Sequence, residues 1–124
     1  SQNTLGRYNL DYLDIAKLAV DAASGKMAED IVLLDLQELT IIADYFVIAS
    51  ADTARQIDAI TESIDSEIKQ TFALDPLHIE GAADSGWVLM DYGGMIVHLF
   101  SKPQREHYQL EDLWRDARVI VRMA

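Results

Sequence analysis

The stretch that decides the fold spans residues 86 to 100 and reads Gly86-Trp-Val-Leu-Met-Asp-Tyr-Gly-Gly-Met-Ile-Val-His-Leu-Phe100. Two apolar runs flank the pair Gly93-Gly94, and glycine adopts the positive φ of a tight hairpin turn without steric cost. The stretch therefore predicts a β-hairpin with strands over residues 87–90 and 95–100. Both strands are apolar on both sides, so we expect helices to cover at least one face of their sheet.

The remaining chain alternates between helical and extended patterns. Apolar residues at a spacing of three and four predict two helices, over residues 11–23 and 53–71. Apolar runs rich in β-branched and aromatic residues predict three strands before the hairpin, at residues 31–36, 41–49 and 77–80. Ser101 followed two residues later by proline is typical of a helix start, and a last helix is expected over residues 104–121.

This order of elements predicts one α/β domain with a mixed five-stranded sheet flanked by helices. A chain of 124 residues is long enough for one such domain with its own core. Residues 1–9 are expected to be an N-terminal tail and residues 117–124 a C-terminal extension, which leaves residues 10–116 for the domain.

Composition narrows the class of partner. The chain carries 21 acidic and 10 basic residues, a formal net charge of −11, and it has no cysteine. Disulfides and thiolate metal sites are therefore excluded, and broad contact with nucleic acid is unfavourable because phosphates are repelled. The acidity fits a basic protein partner, or it only keeps the protein soluble. No apolar run reaches the roughly 20 residues of a membrane span, and a cytoplasmic location is expected.

Three polar residues are candidates for catalysis, and none has a strong context. His98, between two apolar neighbours, is more typical of a core residue with one satisfied hydrogen bond than of a catalytic base. Asp35 and Asp91 could pair across neighbouring strands to hold Mg²⁺, as nucleotidyl transfer requires. However, Asp91 is followed by tyrosine and glycine rather than by a second acid, so the sequence gives this chemistry little support. No metal or other cofactor is expected.

Trp87 and Tyr92 bracket the first strand of the hairpin. Tryptophan and tyrosine often anchor protein interfaces because they bury a large area at a low entropy cost. They are also ordinary core residues, and residue type alone does not decide between the two interpretations. A tryptophan at the mouth of a strand, next to the predicted 81–86 loop, favours the interface for Trp87.

The hairpin stretch resembles the central motif of the ribosomal silencing factor family, also called Iojap-like proteins. Residues 105–114, Arg-Glu-His-Tyr-Gln-Leu-Glu-Asp-Leu-Trp, are similar to the closing motif of that family, and residues 28–36 and 43–48 to its first two strands. Glu80-Gly81 matches as well, and the resemblance covers about residues 10–116. The chain departs from the family at Gly94, where an acidic residue is usual.

The resemblance implies a nucleotidyltransferase-like core without catalytic residues, a homodimer, and a protein that is not an enzyme. It also implies a translational repressor that binds a basic protein of the large ribosomal subunit, the fourteenth by the usual count, and sterically blocks joining of the small subunit. In the family pattern Trp87 and Tyr92 contact this partner. The expected partner-binding residues are Trp87, Met90, Asp91, Tyr92, Gly93 and Gly94. The alternative is a metal-dependent enzyme that uses Asp35 and Asp91.

Overall fold

A computed structural model describes residues 10–124 of the chain, and the predicted tail at residues 1–9 lies outside the described part. The strands are β1 (Glu29–Asp35), β2 (Tyr45–Ala51), β3 (His78–Ala82), β4 (Trp87–Asp91), β5 (Met95–Ser101) and β6 (Arg118–Met123). The helices are α1 (Tyr12–Gly25), α2 (Ala54–Phe72), α3 (Lys102–Tyr108) and α4 (Leu110–Leu113), and a single 3₁₀ turn occupies Ala83–Ser85.

The strands form one mixed sheet in the order β3-β4-β5-β2-β1-β6. Among the strands of residues 10–124, β2 and β5 pair in parallel and the other neighbouring pairs are antiparallel. A parallel pair needs a long crossover connection, and the segment containing α2, β3 and β4 provides it. The predicted α/β class with a mixed, helix-flanked sheet is confirmed.

Helices α1 and α2 cover one face of the sheet, as their sequence patterns predict. The Asp11 carboxylate caps α1 by accepting a hydrogen bond from the Leu13 N–H at 2.9 Å, and the Thr53 hydroxyl caps α2 by accepting from the Gln56 N–H at 3.1 Å. The apolar stripe of α2 is completely buried against the sheet and α1. Its members are Ile57, Ile60, Ile64 and Ile68.

The C-terminal region differs from the prediction. The helix expected over residues 104–121 is wrong, because the chain leaves helical geometry at Gln109, where φ is +46°, and later forms β6 against β1. The run Val119-Ile120-Val121 is β-branched and gains ladder hydrogen bonds there. The sheet therefore has six strands rather than five, and residues assigned to a C-terminal extension contribute its last strand.

The predicted hairpin of β4 and β5 is confirmed, and its turn packs closely against α1. The Tyr92 N–H donates to the Met95 carbonyl at 2.9 Å, and Gly93 has a φ of +92°. A Cβ atom on Gly94 would overlap the ring of Tyr12. A side chain at position 94 would therefore compete with the Tyr12 ring for the same space.

Candidate protein-binding site

Three rows of side chains cover the sheet face that points away from α1 and α2. We call this surface the aromatic face. Paired residues of neighbouring strands point to the same side of a sheet, so the strand register gives the rows directly. Listed from β3 outward, the row near the hairpin turn is His78, Asp91, Ile96, Phe46, Leu34 and Val119. The middle row is Glu80, Leu89, His98, Ile48, Val32 and Arg122, and the far row is Ala82, Trp87, Phe100 and Ser50.

Trp87 is half-buried within this face. Its ring lies nearly parallel to the ring of Phe100, with 6.0 Å between centroids, and Tyr108 of α3 packs over it at 5.5 Å. The indole N–H is buried and has no hydrogen-bond partner among residues 10–124. Trp87 therefore presents only part of its ring to solvent, because α3 covers the rest.

His98 lies in the centre of the aromatic face and is 6% exposed. Its ring meets the edge of Phe46 at 4.7 Å and stacks near Trp87. The predicted core position is confirmed, but the expected hydrogen bond is wrong, since neither ring nitrogen has a partner within the described part of the chain. Burial lowers the pKa of His98 to about 4, so the ring is neutral at pH 7, and the same burial disfavours the imidazolium that a general base would have to form.

Asp91 reaches the aromatic face at the turn end of β4. One carboxylate oxygen accepts a hydrogen bond from the Gly93 N–H at 2.7 Å, and the other lies 3.6 Å from Nε2 of His78. The same His78 nitrogen is 2.7 Å from the Glu80 carboxylate, whose side chain is 63% exposed. Two carboxylates thus flank one histidine where β3 and β4 meet, next to half-buried Leu89.

Met90 and Tyr92 face the opposite way, into the core beneath α1 and α2. They are 0% and 2% exposed, because side chains along a strand alternate between the two faces. The Tyr92 hydroxyl has no hydrogen-bond partner among the described residues, and burial raises the pKa of Tyr92. Gly93 and Gly94 are half-buried in the turn. Of the six predicted contact residues, Trp87 and Asp91 reach the aromatic face with their side chains.

Asp35 and Asp91, the carboxylates of the enzyme alternative, stand at the same end of the sheet but on separate strands. β5 and β2 lie between them, which places their backbones three strand spacings apart, roughly 14 Å. Asp35 accepts a hydrogen bond from the Gln37 N–H at 2.9 Å and pairs with Arg118 at 3.1 Å. Within residues 10–124 no group of three His, Cys, Asp or Glu side chains is arranged to hold a metal ion. The pair is therefore not assembled for metal-assisted chemistry.

A polar clamp centred on Arg105 fastens α3 and α4 over the aromatic face. The guanidinium donates to both carboxylate oxygens of Glu111 and, through Nη1, to the Ser50 hydroxyl at 2.8 Å. Burial alone would raise the pKa of Glu111, but the hydrogen bonds and charge of Arg105 hold that pKa below its ordinary value. The clamp fixes the segment that carries Tyr108 and Trp114.

The clamp residues, Leu89 and Tyr108 are features that sequence reasoning missed. For Leu89 a signal existed, since strand alternation from Trp87 places residues 87, 89 and 91 on one face. Trp114 follows the break at Gln109, where φ is +46°, and no sequence motif indicates that break.

A cavity lies beside the clamp, away from the predicted contact residues. It has a volume of about 800 Å³ and opens between α3, α4 and the β1–β6 side of the sheet. Its lining mixes both signs of charge: the acids are Asp30, Glu106, Glu111 and Asp112, and the bases are Lys102, Arg105 and Arg122. Such a lining does not select a ligand of one charge.

Charge is distributed unevenly along the chain. Residues 70–101 contain no lysine or arginine, whereas residues 102–124 hold five of the ten basic residues of the chain. The acids of the first segment are Asp75, Glu80, Asp84 and Asp91. The edge of the sheet formed by β3 and β4 is therefore acidic, and it borders the exposed part of Trp87.

In the described chain no helix is both long and apolar enough to cross a lipid bilayer. The α1–α2 layer instead presents one apolar stripe to the sheet and charged residues to solvent. This arrangement is typical of helices that cover a sheet.

Comparison with known proteins identifies the family. The sequence profile described as ribosomal silencing factor during starvation matches residues 9–123. A Bacillus subtilis ribosomal silencing factor is 38% identical over 103 residues, which cover 83% of this chain and 86% of that protein. The mouse mitochondrial assembly of ribosomal large subunit protein 1 is 34% identical over 89 residues, 70% of this chain and 39% of that protein.

A solved structure agrees with the fold. The crystal structure of a Chromobacterium violaceum protein is 32% identical to this chain and superposes with a TM-score of 0.79 over 85% of this chain and 87% of its own length. Because the profile spans nearly the whole chain, and the hairpin and closing motifs lie inside the matched range, this protein belongs to the ribosomal silencing factor family.

Proposed function

We propose that the protein represses translation by binding the large ribosomal subunit and blocking association with the small subunit. Its contact on the subunit is the basic ribosomal protein of the intersubunit face, the fourteenth by the usual count. Family membership supports a ribosomal role, and the name of the mouse relative refers to the large subunit. The observation that carries the proposal is the β3–β4 edge, where partly exposed Trp87 and Leu89 adjoin Glu80 and Asp91 within a segment that has no lysine or arginine.

Such an edge suits a basic protein embedded in RNA. Complementary charge favours the ribosomal protein, while the same acids disfavour the surrounding phosphates. Trp87 and Asp91 supply the direct side-chain contacts of this proposal. Met90 and Tyr92 support the strand from below, and Gly93 and Gly94 offer backbone at the turn. These six residues remain the proposed partner-binding set.

The proposed mechanism is occupancy without catalysis. A bound domain that fills part of the intersubunit face prevents closure of the two subunits by its volume alone. The separation of Asp35 and Asp91 across the sheet supports this view over a nucleotidyltransferase-like reaction. The proposal also includes a homodimer as the free form and the cytoplasm as the place of action.

Sedimentation with purified ribosomal subunits tests the proposal. The protein should co-sediment with large subunits alone and should lower the yield of joined ribosomes when small subunits are added afterwards. Joining should be inhibited equally with or without a nucleoside triphosphate. Metal-dependent turnover of a nucleoside triphosphate that Asp91→Ala abolishes would favour the enzyme instead, and absence of co-sedimentation would reject the repressor.

A further inference from the structure

β3 is a free edge of the sheet. All five of its residues are exposed, and its ladder hydrogen bonds go to β4 on one side only. The backbone groups on its outer side therefore have no strand partner within residues 10–124. A free edge of this kind is a template on which an extended segment of another chain can add as a further strand.

The opposite edge of the sheet, β6, differs in charge. β6 carries Arg118 and Arg122 and no acidic residue, and although Arg118 is paired with Asp35, this edge attracts a basic segment less than β3 does. β3 carries Glu80 and lies beside Asp91 and Asp84, within the segment that has no lysine or arginine. A basic strand is therefore attracted to the β3 edge, and charge alone distinguishes the two edges of the sheet.

The residues along β3 also determine which side chains a strand added at this edge should carry. His78 and Glu80 point to the aromatic face, while Ile79 points to the helix-covered face and is 45% exposed. Leu77, just before the strand, is 71% exposed. Side chains directly opposite each other in neighbouring strands share a face and interact. A matching strand therefore has basic residues against Glu80 and apolar residues against Ile79.

We propose that the ribosomal partner adds an extended segment to the β3 edge, with lysine or arginine alternating with apolar residues. The inference rests on the proposed function and specifies how that partner is held. Backbone hydrogen bonds to β3 give the added strand its register, and Glu80 and Ile79 select its side chains. Trp87 and Leu89, on the strand behind, then contact the part of the partner that lies over the aromatic face.

Amide hydrogen exchange with purified large subunits as the probe tests the strand addition. In the subunit-bound protein, amides of residues 77–82 should exchange at least tenfold more slowly than in the free protein, while those of residues 118–123 should not change. If the protein co-sediments with subunits but the β3 amides exchange as before, the strand addition is overturned and the proposed function stands. If it does not co-sediment, both are rejected.

A second copy of the chain is the competing occupant of the edge. Protection of residues 77–82 that increases with protein concentration in the absence of subunits would assign the edge to self-association and overturn the proposal. If the exchange rate of these amides in the free protein does not depend on protein concentration, a ribosomal segment is supported as the occupant.

A charge reversal provides the matched side-chain test. Glu80→Lys places a base on β3, and Glu62→Lys makes the same change in net charge on the exposed surface of α2. Glu80→Lys should weaken binding to large subunits by about tenfold or more, and Glu62→Lys by less than twofold. Equal weakening by both variants would mean that only total charge matters and would overturn the proposal. Thermal melting of each variant checks that it is folded.

Discussion

Trp87 and Trp114 are two half-buried tryptophans on the same face of the sheet, and they offer a matched pair for locating the contact surface. Trp87 stacks on Phe100 next to the acidic edge, whereas Trp114 packs edge-on against Phe46 with 5.8 Å between ring centroids. Truncation of either residue removes packing on a buried aromatic ring, so both alanine variants should melt at lower temperature. Stability alone therefore does not separate an anchor from a core residue here.

Binding separates the two tryptophans. Trp87→Ala should weaken large-subunit binding about thirtyfold, which corresponds to roughly 2 kcal/mol for an interface anchor. Trp114→Ala should leave binding within about twofold of the wild type, measured by co-sedimentation at a temperature where both variants are folded. If Trp114→Ala weakened binding more than Trp87→Ala did, the contact surface would have to lie away from the β3–β4 edge.

His98 makes stability depend on pH in a direction that its burial determines. The folded-state pKa of about 4 lies below the ordinary value of 6.5, so the unfolded chain binds the proton more readily between these values. Above pH 6.5 the neutral ring makes its full contribution to the free energy of unfolding. That contribution is lost as the pH falls toward 4, by up to about 1.4 kcal/mol per pH unit.

Urea denaturation at pH 7, 6 and 5 measures this loss. His98→Leu should flatten the fall in the free energy of unfolding over this range, because the variant has no ring to protonate. His107→Leu, a change at an exposed position on α3, should keep the wild-type slope. If His98→Leu shows the same slope as the wild type, other groups account for the acid sensitivity.

Among the helices and strands, those with a strong local sequence pattern could be predicted. The isoleucine stripe of α2 and the glycine pair of the hairpin each specify their element through side-chain spacing or turn chemistry alone. β6 was not predictable in this way, since Val119 to Val121 becomes a strand only through pairing with β1 after the break at Gln109. Within the site, residue type singled out Trp87 and Asp91, whereas the inward orientation of Tyr92 depends on which face the helices cover.

The contact between α1 and the hairpin turn leads to a prediction at Gly94. A Cβ there meets the Tyr12 ring, and overpacking of this kind typically costs about 1–3 kcal/mol. Gly94→Ala should therefore be destabilising, and Tyr12→Ala should make the same substitution nearly neutral in the double variant. Gly93→Ala is the control, because its cost arises from the φ of +92° and should persist without the Tyr12 ring. Chemical denaturation of the three single variants and of the two double variants that combine Tyr12→Ala with Gly94→Ala or with Gly93→Ala measures these couplings.

The Arg105 clamp should contribute to stability as a coupled unit. Its guanidinium side chain is only 13% exposed and makes charge-assisted bonds to Glu111. Arg105→Ala and Glu111→Gln should each be destabilising, and a double-mutant cycle should give a coupling of about 1–3 kcal/mol. Additive effects in the cycle would show that the two side chains act independently, and that α3 is held mainly by the packing of Tyr108 and Trp114.

For the whole molecule, a net charge of −11 opposes the proposed homodimer. Two copies repel each other, so a dimer of this chain has to be held by apolar contacts. Exposed apolar residues are available in the β1–β2 loop, where Ile41 is fully exposed and Ile42 is 66% exposed. Salt screens the repulsion within about 10 Å at 0.1 M and leaves apolar contacts largely unchanged.

Dimerisation should therefore strengthen as ionic strength rises. Sedimentation equilibrium at high micromolar concentration should show a mass near twice 13.9 kDa, with a larger dimer fraction at about 0.5 M than at about 0.05 M potassium chloride because repulsion between like charges is screened. Ile41→Ser with Ile42→Ser should shift the equilibrium toward the monomer at both salt concentrations. A dimer that dissociates as salt is added would instead be held by ion pairs between the two copies.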